Sequence, residues 1–96
     1  MYVLEVVKFK LNEGVTREKF LEGVSKTNAY ISSSKGFIER SVGVSKEDVW
    51  TDIVKWEDME SALHAAEAFS KSAEGVEFMA MIDMNSAEMN HFEILA

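Results

Sequence analysis

Four side chains of this 96-residue sequence come nearest to chemistry: Glu5, Asp52, His91 and Glu93. Each stands in a short run where large apolar residues recur at every second position, the period of a half-buried strand. If those runs pair, the alternation puts all four on one sheet face, with cross-strand neighbours about 5 Å apart. Carboxylates gathered among apolar groups do not all stay ionised. At least one titrates above its ordinary value, or a cation sits among them. A raised carboxylate beside a histidine can take a proton from a bound molecule and return it. Two carboxylates and a histidine also match an open Fe(II) or Zn(II) site. The third reading is structural: the acids line a solvated rim or meet Lys or Arg of a partner subunit. Acid–base work by His91 with Glu5, Glu93 and Asp52 is the catalytic expectation, with no metal and no organic cofactor.

Other chemistries find less support. The chain has no cysteine, which removes thiolate nucleophiles, thiolate metal sites and disulfides. Its 10 basic and 17 acidic residues give a net charge of −7, and no cluster of Lys or Arg offers a footprint for nucleic acid. Gly14, Gly36 and Gly75 stand singly at turns and form no phosphate cradle. His64 shares a helix face with Glu60, Glu67 and Lys71 and is read as solvated. Methionines crowd the C-terminal third (Met79, Met81, Met84, Met89). Flexible thioethers of this kind fill gaps in a core or line a deformable apolar pocket, so Phe78 and Met79 are taken as candidate ligand contacts.

The elements that must position these groups follow from periodicity. Residues 2–10, 37–44, 49–56 and 88–95 read as strands, rich in β-branched and aromatic side chains. Thr16 can cap a first helix carrying Phe20, Leu21, Val24, Thr27 and Ile31 on one stripe. Asp58 can cap a second, with Met59, Ala62, Leu63, Ala66 and Phe69 inward. Residues 76–84 fit a short extra helix. The charged residues Glu5, Lys8 and Lys10 in the first strand argue against a leader peptide or membrane span, so a cytoplasmic location is expected. The length fits one domain over residues 1–96.

Strand, helix, strand, strand, helix, strand is the ferredoxin-like order, an α+β fold with a four-stranded antiparallel sheet ordered 4-1-3-2 and both helices on one face. Taking the more uniformly apolar set as helix-facing selects Leu4, Val6, Ile38, Val42, Val44, Val49, Ile53, Phe92 and Ile94, with Lys8 and Arg40 at the strand ends. The opposite set holds the four chemical residues together with Val3, Val7, Phe9, Phe37, Trp50, Val54 and Trp56. An uncovered face so rich in large apolar groups marks an interface or a ligand groove. Trp50 and Phe9 are therefore expected to contact a ligand, a second copy of the chain, or both.

The element order, the extra helix before the last strand and the tryptophan closing Ile53-Val54-Lys55-Trp56-Glu57-Asp58 resemble the dimeric α+β barrel superfamily. The nearest group is the antibiotic biosynthesis monooxygenase-like proteins, and the resemblance spans essentially the whole chain. It implies a sheet-to-sheet homodimer, with a pocket in each subunit between sheet and helices and Trp56 in the pocket wall. The superfamily includes cofactor-independent quinone-forming monooxygenases, haem-degrading enzymes, lactone isomerases, polyketide cyclases and ligand sensors, so fold does not fix chemistry. Haem-degrading members pair the tryptophan with an asparagine near the end of the first strand and a histidine in the following helix. Here Asn12 lies beyond the strand and His64 on a polar face. Two functions remain. One is a small cofactor-independent enzyme acting on an aromatic or polyketide-like compound, with Trp56 positioning it. The other is a non-catalytic binder of a small apolar molecule.

Overall fold

Tyr2–Leu11 forms the first strand, β1, and turns at Asn12 and Gly14 into α1, Arg17–Ser32. The computed structural model describes all residues, 1–96. Thr16 caps α1, its hydroxyl accepting the Lys19 amide at 3.1 Å and so satisfying an otherwise unpaired donor. The chain then forms β2 (Phe37–Val44), β3 (Trp50–Trp56), α2 (Met59–Lys71), α3 (Ala73–Met79) and β4 (Ile82–Ile94). Asp58 caps α2 through the Ser61 amide at 2.7 Å. That backbone donation holds the Asp58 carboxyl below its ordinary value. Gly36 enters β2 at φ +85°, where a Cβ would collide with Ser61 of α2. Glycine is required there by conformation and by space.

The sheet runs β2-β3-β1-β4 with antiparallel pairs throughout, the expected order read from its other edge. The third helix and last strand depart from expectation. Ser72 ends α2 and caps α3 in one step, its hydroxyl accepting the Gly75 amide at 2.9 Å, so α3 starts at Ala73 and closes at Met79. Residues from Ile82 onward are strand, because Ile82 and Asp83 pair with Leu11 and Lys10. Between Asp83 and Glu88 the strand bulges away from β1, and Ser86 Oγ takes the Lys10 amide at 2.8 Å. Of residues 76–84, expected as a short extra helix, 76–79 are helical and Ile82–Met84 belong to the bulged strand.

The two sheet faces are the reverse of those expected for β1, β3 and β4. Val3, Phe9, Trp50, Val54 and Trp56 are buried beneath the helices, while Phe92 is half exposed on the other side. Lys8 is also exposed and lies across from Thr51 and Glu88 on that open face. The physical reason is volume. The helix stripes are narrower than expected, with Ser61, Ala62 and Ala65 buried on α2 while Leu63 and Leu21 lie outside. Only the set bearing aromatic rings fills the space beneath small residues of this kind. A bulge between Phe37 and Glu39 keeps Val42 and Val44 on the helix side as expected, adds Phe37, and leaves Ile38 exposed.

Two apolar clusters result. One joins Val3, Val54 and Trp56 to Ile31, Ala62 and Ala65. The other centres on Phe20, whose ring lies 5.5 Å from Phe9, 4.8 Å from Trp50 and 5.1 Å from Phe78. Burying a phenylalanine this fully contributes about 1.5–3 kcal/mol. No helix is long and apolar enough to cross a membrane.

Candidate active site

A cavity of about 330 Å³ opens between the two clusters, lined by 17 residues of which 14 are hydrophobic. The sheet supplies its floor through Glu5, Val7 and Phe9 of β1 and Asp52, Val54 and Trp56 of β3. Ile31, Ala65, Phe69 and Phe78 close it from the helices, and the exposed Met84 and Met89 mark its mouth along β4. Its size falls in the range that accepts a small organic molecule.

Glu5 is the chemical centre of the floor. β1 presents it opposite Val54 on one side and His91 on the other, so all three share the helix face. His91 Nε2 lies 3.1 Å from Glu5 Oε1, with both side chains largely shielded from solvent. Burial pushes the Glu5 carboxyl above its ordinary value; the hydrogen bond and charge of His91 oppose the shift, the Asp52 anion reinforces it, and the Arg40 cation opposes it. The pair can move a proton: a protonated Glu5 donates to a neutral imidazole nitrogen, and a protonated Nε2 donates to the Glu5 carboxylate. His91 itself does not line the cavity, so Glu5 stands between it and any ligand.

Asp52 lines the same floor but is held differently. Arg40 grips it with a two-pronged fork, Nε to Oδ1 at 3.0 Å and Nη2 to Oδ2 at 2.7 Å. Arg40, expected at a strand end, lies within β2 on the helix side, and its side chain is only 5% exposed. The available signal was its place in the same alternating set as Val42 and Val44, the helix-facing side of β2.

The remaining expected residues divide. Phe9, Trp56, Phe78 and Met79 line the cavity, whereas Trp50 packs against Phe20 in the core and does not reach it. Glu93 pairs with Val3 one row beyond the Glu5–His91 pair, where it is exposed and does not line the cavity. No group of three His, Asp or Glu side chains is placed to hold a metal ion, and His64 is exposed. Trp56 carries one feature that sequence did not show. Its indole Nε1 is buried without a hydrogen-bond partner, while the ring lies in the cavity wall.

No family model matches the sequence, and no curated protein is significantly similar to it. Solved structures are similar in fold. A point mutant of SnoaB, a cofactor-independent oxygenase from Streptomyces nogalater, superposes with a TM-score of 0.79 at 16% identity, covering 97% of this chain and 92% of that one. A candidate antibiotic biosynthesis monooxygenase from Bordetella bronchiseptica gives 0.75 at 17%, covering 99% and 98%. Another, from Nitrosomonas europaea, gives 0.75 at 10%, covering 98% and 90%. The chain has the ferredoxin-like α+β fold of these proteins.

Proposed function

We propose that this protein is a small acid–base enzyme that deprotonates a neutral, apolar, hydroxyl-bearing aromatic compound, with Glu5 as the proton acceptor. The observation that carries this reading is a buried carboxyl group facing an apolar cavity and hydrogen-bonded at its back to a histidine. Glu5 accepts the proton from the ligand, and His91 receives it through the hydrogen bond and passes it toward solvent. Trp56 supplies an aromatic wall against which the ligand ring packs. No cation lines the cavity, so a ligand carboxylate or phosphate would meet two acids unassisted. A neutral ligand suits the site.

The oxygenase named among similar structures suggests the outcome of deprotonation. An electron-rich carbanion or phenolate can reduce dioxygen directly. A ring methylene then becomes a carbonyl as one oxygen atom enters it and the other leaves as water. The enzyme would be one domain acting in the cytoplasm as a homodimer, with a second copy covering the open sheet face, and would need no organic cofactor.

The test uses an anthrone-type phenol, following oxygen consumption and quinone absorbance. Glu5→Gln should lower turnover about 10²-fold or more while leaving binding intact, the scale of a lost general base. Equal turnover in the variant overturns the reading. The binder alternative rests on the hydrophobic majority of the lining. It predicts retention of an apolar ligand without conversion and no dependence on Glu5.

A further inference from the structure

Two carboxylates share the cavity floor, and the structure treats them unequally. Asp52 receives both prongs of the Arg40 guanidinium, whereas Glu5 has only the imidazole of His91. The arginine is fixed from three directions. Its Nη1 donates to Thr27 Oγ1 at 2.9 Å and to Asn28 Oδ1 at 2.9 Å, with the Val24 carbonyl at 3.4 Å. Thr27 is itself buried, its hydroxyl donating back to the carbonyls of Gly23 and Val24 at 3.0 Å each. The guanidinium carbon lies 5.5 Å from the Phe78 ring centroid, within cation–π range. A side chain rooted in β2 thus holds a β3 carboxylate against α1 and α3.

We propose that Arg40 is a positioning residue for the acid–base centre. It keeps Asp52 a fixed carboxylate in the cavity wall, so that the proton exchanged with a ligand resides on Glu5 and His91. The inference rests on the catalytic reading of Glu5. Its geometric basis is that the fork occupies one lone pair on each Asp52 oxygen and cannot rotate without breaking its bonds to α1. Replacing a buried ion pair of this kind by well-packed apolar residues is often neutral for stability, so the pair by itself is weak evidence of a purely stabilising role. An arrangement that gives the proton to one of two neighbouring carboxylates makes specific use of it.

The charged groups around Glu5 are few. His91 faces it from β4, Asp52 from β3 and Arg40 acts from β2; the helix residues around the cavity carry no titratable group. Removing the Arg40 cation leaves the Asp52 charge uncompensated, which moves Glu5 further up. Removing the Asp52 charge leaves Arg40 uncompensated, which moves it down.

The experiment is a carbon-13 NMR titration of the Glu5 side-chain carboxyl in the ligand-free protein. Arg40→Gln should raise the Glu5 midpoint, Asp52→Asn should lower it, and the double variant should return it toward wild type. In turnover of the anthrone-type phenol, the acidic limb of the pH profile should shift in the same directions. If Arg40→Gln does not fold, Asp52→Asn and the neutral double variant still test the opposed shifts. An unmoved Glu5 midpoint in folded variants overturns the role of Arg40, and so does movement in the same direction in both single variants. The separate result that Glu5→Gln retains full turnover overturns the catalytic reading instead, since the NMR shifts do not depend on turnover.

Discussion

His91 and Glu5 stand opposite each other across the β1–β4 pair, 3.1 Å apart, and only Glu5 reaches the cavity. The histidine therefore acts on a ligand through the carboxyl group. Removing it acts on Glu5 before it acts on anything bound.

His91→Ala takes away the hydrogen bond and charge that oppose the upward shift of Glu5. The Glu5 midpoint should rise further, and the acidic limb of a pH–rate profile should move to higher pH. Carbon-13 titration of Glu5 measures the first and turnover against pH the second. A midpoint unchanged in a folded His91→Ala protein would show that the pair is not coupled.

Glu5 also makes stability depend on pH. Its folded-state value lies above its unfolded value, so the native state binds the proton more tightly than the unfolded chain does. The resulting stabilisation is fully present below the unfolded value. It is lost as pH rises through the window between the two, and above the folded value a buried charge remains. Glu5→Gln should flatten this dependence and raise the neutral-pH melting temperature. Parallel wild-type and variant melting curves across that window would count against the shift.

Trp56→Phe keeps a ring in the cavity wall and deletes the unpartnered indole N–H. No internal hydrogen bond is lost, but the smaller ring in a buried position should cost about 1–2 kcal/mol of stability. Affinity for aromatic ligands should fall with the lost ring contact, whether or not they carry a carbonyl. Calorimetry on an anthrone and on its carbonyl-free hydrocarbon checks this: both should weaken alike, and a loss confined to the anthrone would show that the N–H reaches the ligand.

Trp50 and Phe78 are both about 4% exposed, yet only Phe78 lines the cavity. Alanine at either should cost about 3–5 kcal/mol in denaturant unfolding. At a temperature where both variants remain folded, only Phe78→Ala should alter the size preference among apolar ligands. A similar change in Trp50→Ala would place Trp50 nearer the ligand than the fold does.

The open sheet face carries the half-exposed Phe92 opposite Leu4, flanked by Ile53 and Val6. If a second copy covers it, light scattering gives twice the chain mass at micromolar concentration. Phe92→Lys should then release monomers by placing an unpaired charge in an apolar contact. A wild-type monomer at that concentration contradicts the homodimer.

Local rules made the elements legible in the sequence. Thr16 and Asp58 announce their helices because a side-chain oxygen at the first turn meets an unpaired amide, whatever the helix packs against. The period of two likewise brought Glu5, Asp52 and His91 onto one face, since pleating alternates side chains regardless of what lies above them. Alternation defines two sets and does not say which one the helices cover. That choice was made by volume and by pairing. The small residues of α2 leave room only for the ring-bearing set, and Arg40 reaches from β2 to neutralise the acid that comes with it. The same long-range terms set the length of β4, whose bulge at residues 84–87 exists because Ile82 and Asp83 find partners at the end of β1. Sequence determined which groups could meet. Packing against the helices decided that they meet inside a cavity, where burial makes one of them a carboxyl group able to hold a proton.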